Sequence, residues 1–145
     1  MTKMNEHAEK IVKYYNKYDG TNPEVLNEFY TDDVVFEDPV TKLHGLNQLK
    51  KYYAKTYKNV KSIRFEFADI FHQGAVYGAP WKLHIAVRGL NGGKEYVVPG
   101  FSQLKFEANG LVSEHRDYVD LGDMVYERIP IQGIIISTLK KLMKI

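Results

Sequence analysis

The 145-residue sequence has no cysteine, one tryptophan, five prolines and a net charge of only +2. Without cysteine there is no disulfide framework and no thiol nucleophile, so any catalysis must use carboxylates, histidines or tyrosines. Twenty basic residues against eighteen acidic ones make no field that singles out nucleic acid as a partner. No apolar run approaches the ~18 residues of a membrane span, and the charged N-terminus lacks a signal peptide's apolar stretch. A cytoplasmic location is therefore the expectation. His7, His44, His72, His84 and His115 are scattered without ligand spacing, and there is no His-Glu-x-x-His pattern or glycine-rich phosphate loop. Neither a metal nor a cofactor is expected.

What the chain has in quantity is rings. Eleven tyrosines and seven phenylalanines must line much of the interior or a cavity. Met4, Ala8, Ile11, Tyr15 and Tyr18 recur at helical spacing and predict an amphipathic helix ending near Asp19-Gly20, with Tyr14 on the edge of its apolar stripe. A second short helix follows, with Asn22 as its cap, Pro23 in its first turn, and Val25, Leu26 and Phe29 on its buried side. After His44-Gly45 a third helix carries Leu46, Leu49, Tyr52, Tyr53 and Tyr57.

Strands dominate the rest. Val34-Val35-Phe36 forms a short strand between the second and third helices. Ile63, Phe65 and Phe67 alternate with polar residues, as do Trp81, Leu83, Ile85 and Val87. Further strands are predicted over about 94–106 and 111–121, with turns at Asn91-Gly92-Gly93 and Glu107-Ala108-Asn109-Gly110. Helices first and strands later predict an α+β domain over residues 1–128, its N-terminal helices packed on a strongly curved antiparallel sheet. The hollow between the layers is the default small-molecule site, with Phe36, Tyr53, Phe65 and Trp81 as candidate substrate-binding residues. Residues 129–145 read as a basic amphipathic tail helix, carrying Ile134, Ile135, Ile136, Leu139, Leu142 and Met143 beside three lysines. It could touch an anionic membrane. A lid over its own domain or over a partner subunit is favoured, and membrane contact is disfavoured.

One acidic residue stands out locally. Asp38 precedes Pro39 at the end of a strand, where proline restricts the backbone on both sides. Such rigidity suits a general base. Equally, an aspartate before proline can serve only to order the turn by accepting a backbone N–H.

The order of elements, with Phe29-Tyr30-Thr31-Asp32-Asp33-Val34-Val35-Phe36-Glu37-Asp38-Pro39 and His115-Arg116-Asp117-Tyr118-Val119-Asp120, resembles the nuclear transport factor 2-like superfamily. Its ketosteroid isomerase-like and SnoaL-like branch is the nearest match, over nearly the whole chain to about Tyr126. The resemblance implies a cone-shaped fold and a homodimer paired through the open face of the sheet, with His84, Arg88 and Gln103 as candidates for that surface. It also implies acid/base chemistry at a carbonyl, in which a carboxylate moves a proton and hydrogen-bond donors hold the oxyanion. Residue by residue, Asp38 falls on the isomerase base and Tyr14 on its oxyanion tyrosine. Ser102 stands where the isomerase has a protonated acid. Asp117 matches the cyclase aspartate and, with His115, makes a second acid/base pair. The reading is a cofactor-independent isomerase or cyclase acting on a hydrophobic carbonyl compound. Alternatives are a non-catalytic small-molecule binding protein of the same fold and a purely dimeric interaction module.

Overall fold

The computed structural model describes residues 5–128 and 130–144. Met4, Ile129 before the tail, and the side chains of Ile134 and Ile136 lie outside the described residues.

Helix α1 (Glu6–Lys17) starts where Asn5 Oδ1 accepts the His7 N–H at 2.8 Å. Glu6 and Glu9 in its first turn and Lys17 in its last complement the helix dipole. Its inner face buries Ala8, Ile11, Tyr14 and Tyr15, so Tyr14 lies inside the apolar stripe rather than at its edge. Helix α2 (Glu24–Phe29) departs from expectation at its start: Pro23 is the cap residue and no side chain caps the helix. Asn22 instead braces the turn behind it, accepting from the Asp19 N–H at 3.1 Å and donating to the Lys17 carbonyl at 3.0 Å. The start of α2 is exposed, so water can satisfy its first N–H groups without a side-chain cap.

Strand β1 (Tyr30–Glu37), β2 (Lys42–His44), helix α3 (Leu46–Tyr57), β3 (Val60–Phe67), β4 (Phe71–Gln73), β5 (Val76–Val87), β6 (Tyr96–Phe106) and β7 (Val112–Val119) follow. They form a seven-stranded sheet in the order β2-β1-β7-β6-β5-β3, with β4 on β5. The architecture is the expected α+β, with one addition. All pairs are antiparallel except β1 and β7, which are parallel. Alternation reports which side chains face inward, not the direction of the neighbouring strand. The three-residue strands β2 and β4 were not foreseen, being too short to show a period.

The turn at 91–93 has Asn91, Gly92 and Gly93 all at positive φ (52°, 63° and 74°), which explains the glycine pair there. The core runs from Ile11, Leu26 and Phe29 on the helices to Phe36, Leu83, Val98, Leu104 and Val112 on the strands. Strands β1, β5, β6 and β7 bury residues in this core, β4 is exposed throughout, and the other face of the sheet exposes Val97 and Tyr118.

After β7 come a short helix α4 (Leu121–Met124), a 3-10 turn at 126–128 and helix α5 (Pro130–Met143). Lys140 ties α5 to the segment before it, 2.6 Å from Asp120 Oδ2 and 3.1 Å from Glu127 Oε1. Ile135, Leu139, Leu142 and Met143 are exposed. Among the described residues, no helix is long and apolar enough to cross a membrane.

Candidate functional site

A cavity of about 400 Å³ opens between α1, α3 and the inner face of the sheet. Its wall is largely rings, including Tyr14, Tyr18, Tyr53, Tyr57, Phe65 and Trp81. Asp38, His115 and Asp117 also reach it, as does Phe36. The fold therefore brings together every residue that the sequence singled out except one.

The exception is Ser102, which is wholly buried and lies behind the wall. Strand register explains its role, since Ser102 pairs directly with Asp117 across β6 and β7. Its hydroxyl donates to Asp117 Oδ1 at 2.6 Å. It accepts from Trp81 Nε1–H at 2.9 Å and from the Tyr15 hydroxyl at 2.7 Å. With its one proton committed, Ser102 cannot donate to a bound oxyanion or touch a ligand, and that expectation is corrected. Gly100 makes the arrangement possible: a Cβ there would lie 2.1 Å from the Trp81 ring, so only glycine lets the indole lie across β6.

His115 completes the network. Its Nε2–H donates to Asp117 Oδ1 at 2.6 Å, with the Tyr15 oxygen also 3.0 Å from that nitrogen. A carboxylate oxygen accepts, which assigns a proton to Nε2, and the other ring nitrogen, Nδ1, lies 2.7 Å from the Tyr30 hydroxyl. Tyr53 stands 3.3 Å behind Tyr30, oxygen to oxygen. Asp117 thus has Oδ1 held by two donors, while no described residue hydrogen-bonds Oδ2. His115, Asp117 and Val119 share the inward face of β7, as their alternation predicts.

Asp38 is held differently. Its Oδ1 accepts the N–H groups of Val40 and Thr41, each at 2.9 Å, and its Oδ2 accepts from the Tyr52 hydroxyl. It closes its own turn at the open end of the cavity, beside exposed Val40.

Tyr14 contributes an unusual group. Its ring stacks on Phe29 at 4.0 Å, and its buried hydroxyl makes no hydrogen bond. The Tyr30 hydroxyl lies beside it and acts on its proton as a hydrogen-bonding neighbour, though the contact falls outside full hydrogen-bond geometry. Burial pushes the Tyr14, Tyr15 and Tyr53 phenols well up, and the Asp117 carboxylate pushes all three the same way. They remain neutral donors.

Sequence reasoning missed Tyr15, Tyr30 and Tyr52. Helical or strand spacing places an aromatic ring inside but does not report where its hydroxyl ends.

Helices backing a mostly antiparallel sheet around an aromatic pocket, with two half-buried carboxylates on its wall, define the α+β architecture into which the comparisons place the chain. The family model of the SnoaL-like domain matches residues 11–115, and the chain belongs to that family. No curated protein matches it significantly. Among solved structures it is similar to a Catenulispora acidiphila protein of ketosteroid isomerase-like fold in complex with trimethylamine, at 16% identity and a TM-score of 0.73, over 88% of this chain and 95% of that one. A Shewanella putrefaciens protein described as a SnoaL-like polyketide cyclase matches at 22% identity and a TM-score of 0.72, over 84% and 95%. An Agrobacterium tumefaciens protein described as an isomerase of the SnoaL-like family matches at 13% identity and a TM-score of 0.61, over 79% and 94%. At these identities the likeness is one of fold.

Proposed function

We propose that the protein is a cofactor-independent isomerase or cyclase that moves a proton beside the carbonyl of a hydrophobic compound held in the cavity. The observation that carries this reading is the state of Asp117, with one oxygen fixed by Ser102 and His115 and the other left to an apolar, ring-lined space. Asp117 Oδ2 takes the α-proton of the substrate, and the electron pair moves onto the carbonyl oxygen as an enolate. Tyr14, whose hydroxyl has no internal partner, donates to that oxygen. The proton then returns to a different carbon in an isomerisation. In a cyclisation the enolate carbon attacks a second carbonyl, and the proton goes to the new alkoxide. His115 stabilises and orients Asp117 instead of meeting the substrate, because both of its nitrogens are engaged. Asp38, with both oxygens occupied, orients substrate at the entrance together with Tyr52.

The test is deuterium uptake at the α-carbon of a panel of cyclic enones and ketones in heavy water. Uptake by the wild type that is lost in Asp117→Asn is expected. Asparagine keeps an oxygen for Ser102 and His115, so the variant removes the base without emptying the network. No uptake above buffer across the panel would favour the second reading, a non-catalytic small-molecule binding protein. That reading draws on the self-contained bonding of Tyr15, Ser102 and Trp81, which needs no ligand to complete it.

A second copy of the chain is proposed to cover the outer face of the sheet, where Val97 and Tyr118 are exposed and where His84, Arg88 and Gln103 would flank the contact. Sedimentation equilibrium at micromolar concentration is expected to give a dimer, and a monomer would refute it.

A further inference from the structure

We infer that the cavity selects an organic cation: a hydrophobic molecule bearing a protonated or quaternary amine. This names the ligand class of the site proposed above and rests on that cavity being where the ligand binds.

The wall has formal charge of one sign. Among the described lining residues, Asp38 and Asp117 are carboxylates and none is Lys or Arg. Both carboxylates are held by hydrogen bonds that fix where they sit on the wall: Ser102 and His115 around Asp117, and Val40, Thr41 and Tyr52 around Asp38. Arg128 stacks 4.4 Å from the ring of Tyr96, a lining residue. Its guanidinium is bound to Asp123 at 2.7 Å, so that charge is already matched.

The rest of the wall suits a cation equally well. Tyr14, Tyr53, Tyr57, Phe65 and Trp81 present ring surfaces to the cavity, and the electron-rich face of an aromatic ring attracts a cation, more so when water is excluded. Burial keeps the tyrosines protonated, so they add quadrupoles and no ionic charge. An anion would meet two carboxylates and no Lys or Arg on the described wall. A cationic amine answers the two carboxylates and the rings between them while leaving Asp117 Oδ2 free to meet the α-carbon of the same molecule.

The probes are benzyltrimethylammonium and its carbon isostere neopentylbenzene, which differ in charge and little in shape. Trp81, the only tryptophan in the sequence, lies on the wall and reports occupancy through its fluorescence. The cation is expected to bind about tenfold or more tighter than the isostere. Asp117→Asn should weaken the cation by about tenfold and leave the isostere unchanged; Asp38→Asn should weaken the cation less. Equal or tighter binding of neopentylbenzene, an equal loss of both probes in Asp117→Asn, or no binding of the cation would each overturn the inference. Its failure is separable from that of the catalytic reading. Exchange that depends on Asp117 without any charge preference sinks only the ligand class, whereas charge preference without exchange sinks only the chemistry.

Discussion

Asp117, on the mid-sheet strand β7, and Asp38, in the turn after β1, border the same cavity but differ in what holds their oxygens. Asp38 gives one oxygen to two backbone N–H groups and the other to Tyr52. Asp117 gives one oxygen to Ser102 and His115 and keeps the other free of described partners. The contrast follows from local geometry. A turn has unpaired N–H groups that recruit a nearby carboxylate, whereas the backbone of a mid-sheet strand is already satisfied by its neighbours. A strand side chain is therefore available for other work. Asp38 has the stronger local sequence signal, yet that signal is the turn's need as much as the site's.

The largest expected effect tests the network around Asp117 as a whole. Tyr14, Tyr15, Tyr30 and Tyr53 all have phenols raised by burial above the ordinary value of 10.0. Below that value both folded and unfolded chains keep these protons, so the stability is fully present. Above it the unfolded chain releases protons that the folded chain retains, and stability falls as pH rises. Each such tyrosine contributes up to about 1.4 kcal/mol per pH unit, which makes a loss of several kcal/mol by about pH 11. Urea unfolding between pH 8 and 11 measures the slope, and Tyr15→Phe should make it shallower. A flat profile would mean that the buried phenols open to water before the protein unfolds.

Next comes the comparison of the two aspartates in the exchange assay. Loss of the base should cost about a hundredfold or more in Asp117→Asn, within the usual range for acid/base catalysis, while Asp38→Asn should lose less than about tenfold. Asparagine can still accept from Val40 and Thr41, so the turn persists. A reversed order would return the base to Asp38 and leave Asp117 as a structural partner of Ser102.

How much of this was legible beforehand can be argued from the same residues. The inward set of β7, His115, Asp117 and Val119, follows from alternation alone, because a strand's period of two is fixed by its backbone. The rings of Phe36, Phe65 and Trp81 fall on the cavity for the same reason, and Tyr53 does so through the helical spacing of α3. Register is a property of two strands together, and nothing local announces that Ser102 stands opposite Asp117. Tyr15 and Ser102 are 87 positions apart, and their contact exists only once α1 is laid across the sheet. The parallel pairing of β1 with β7 was hidden likewise, since it depends on where the last strand returns. Tyr52 meets Asp38 across only 14 positions, but through a helix whose tilt the spacing leaves undefined.

The smallest effect separates architecture from chemistry in the hydrogen bonding of the two aspartates. Ser102→Ala leaves the buried Trp81 N–H and the Tyr15 hydroxyl without their acceptor, a loss of about 1–3 kcal/mol. Tyr52→Phe removes a donor from Asp38, which is only half-buried, where water can substitute; it should cost less than about 1 kcal/mol. Denaturant midpoints at neutral pH measure both. Larger destabilisation by the Tyr52 change would make the entrance turn, and not the Ser102 network, the structural anchor of the site. The exchange assay on the same two variants then asks what the Ser102 network is for. If Ser102→Ala loses stability but keeps its turnover, the hydroxyl only satisfies the core. If turnover falls as well while benzyltrimethylammonium still binds, Ser102 is a positioning residue, and the precision with which it holds Asp117 is part of the chemistry.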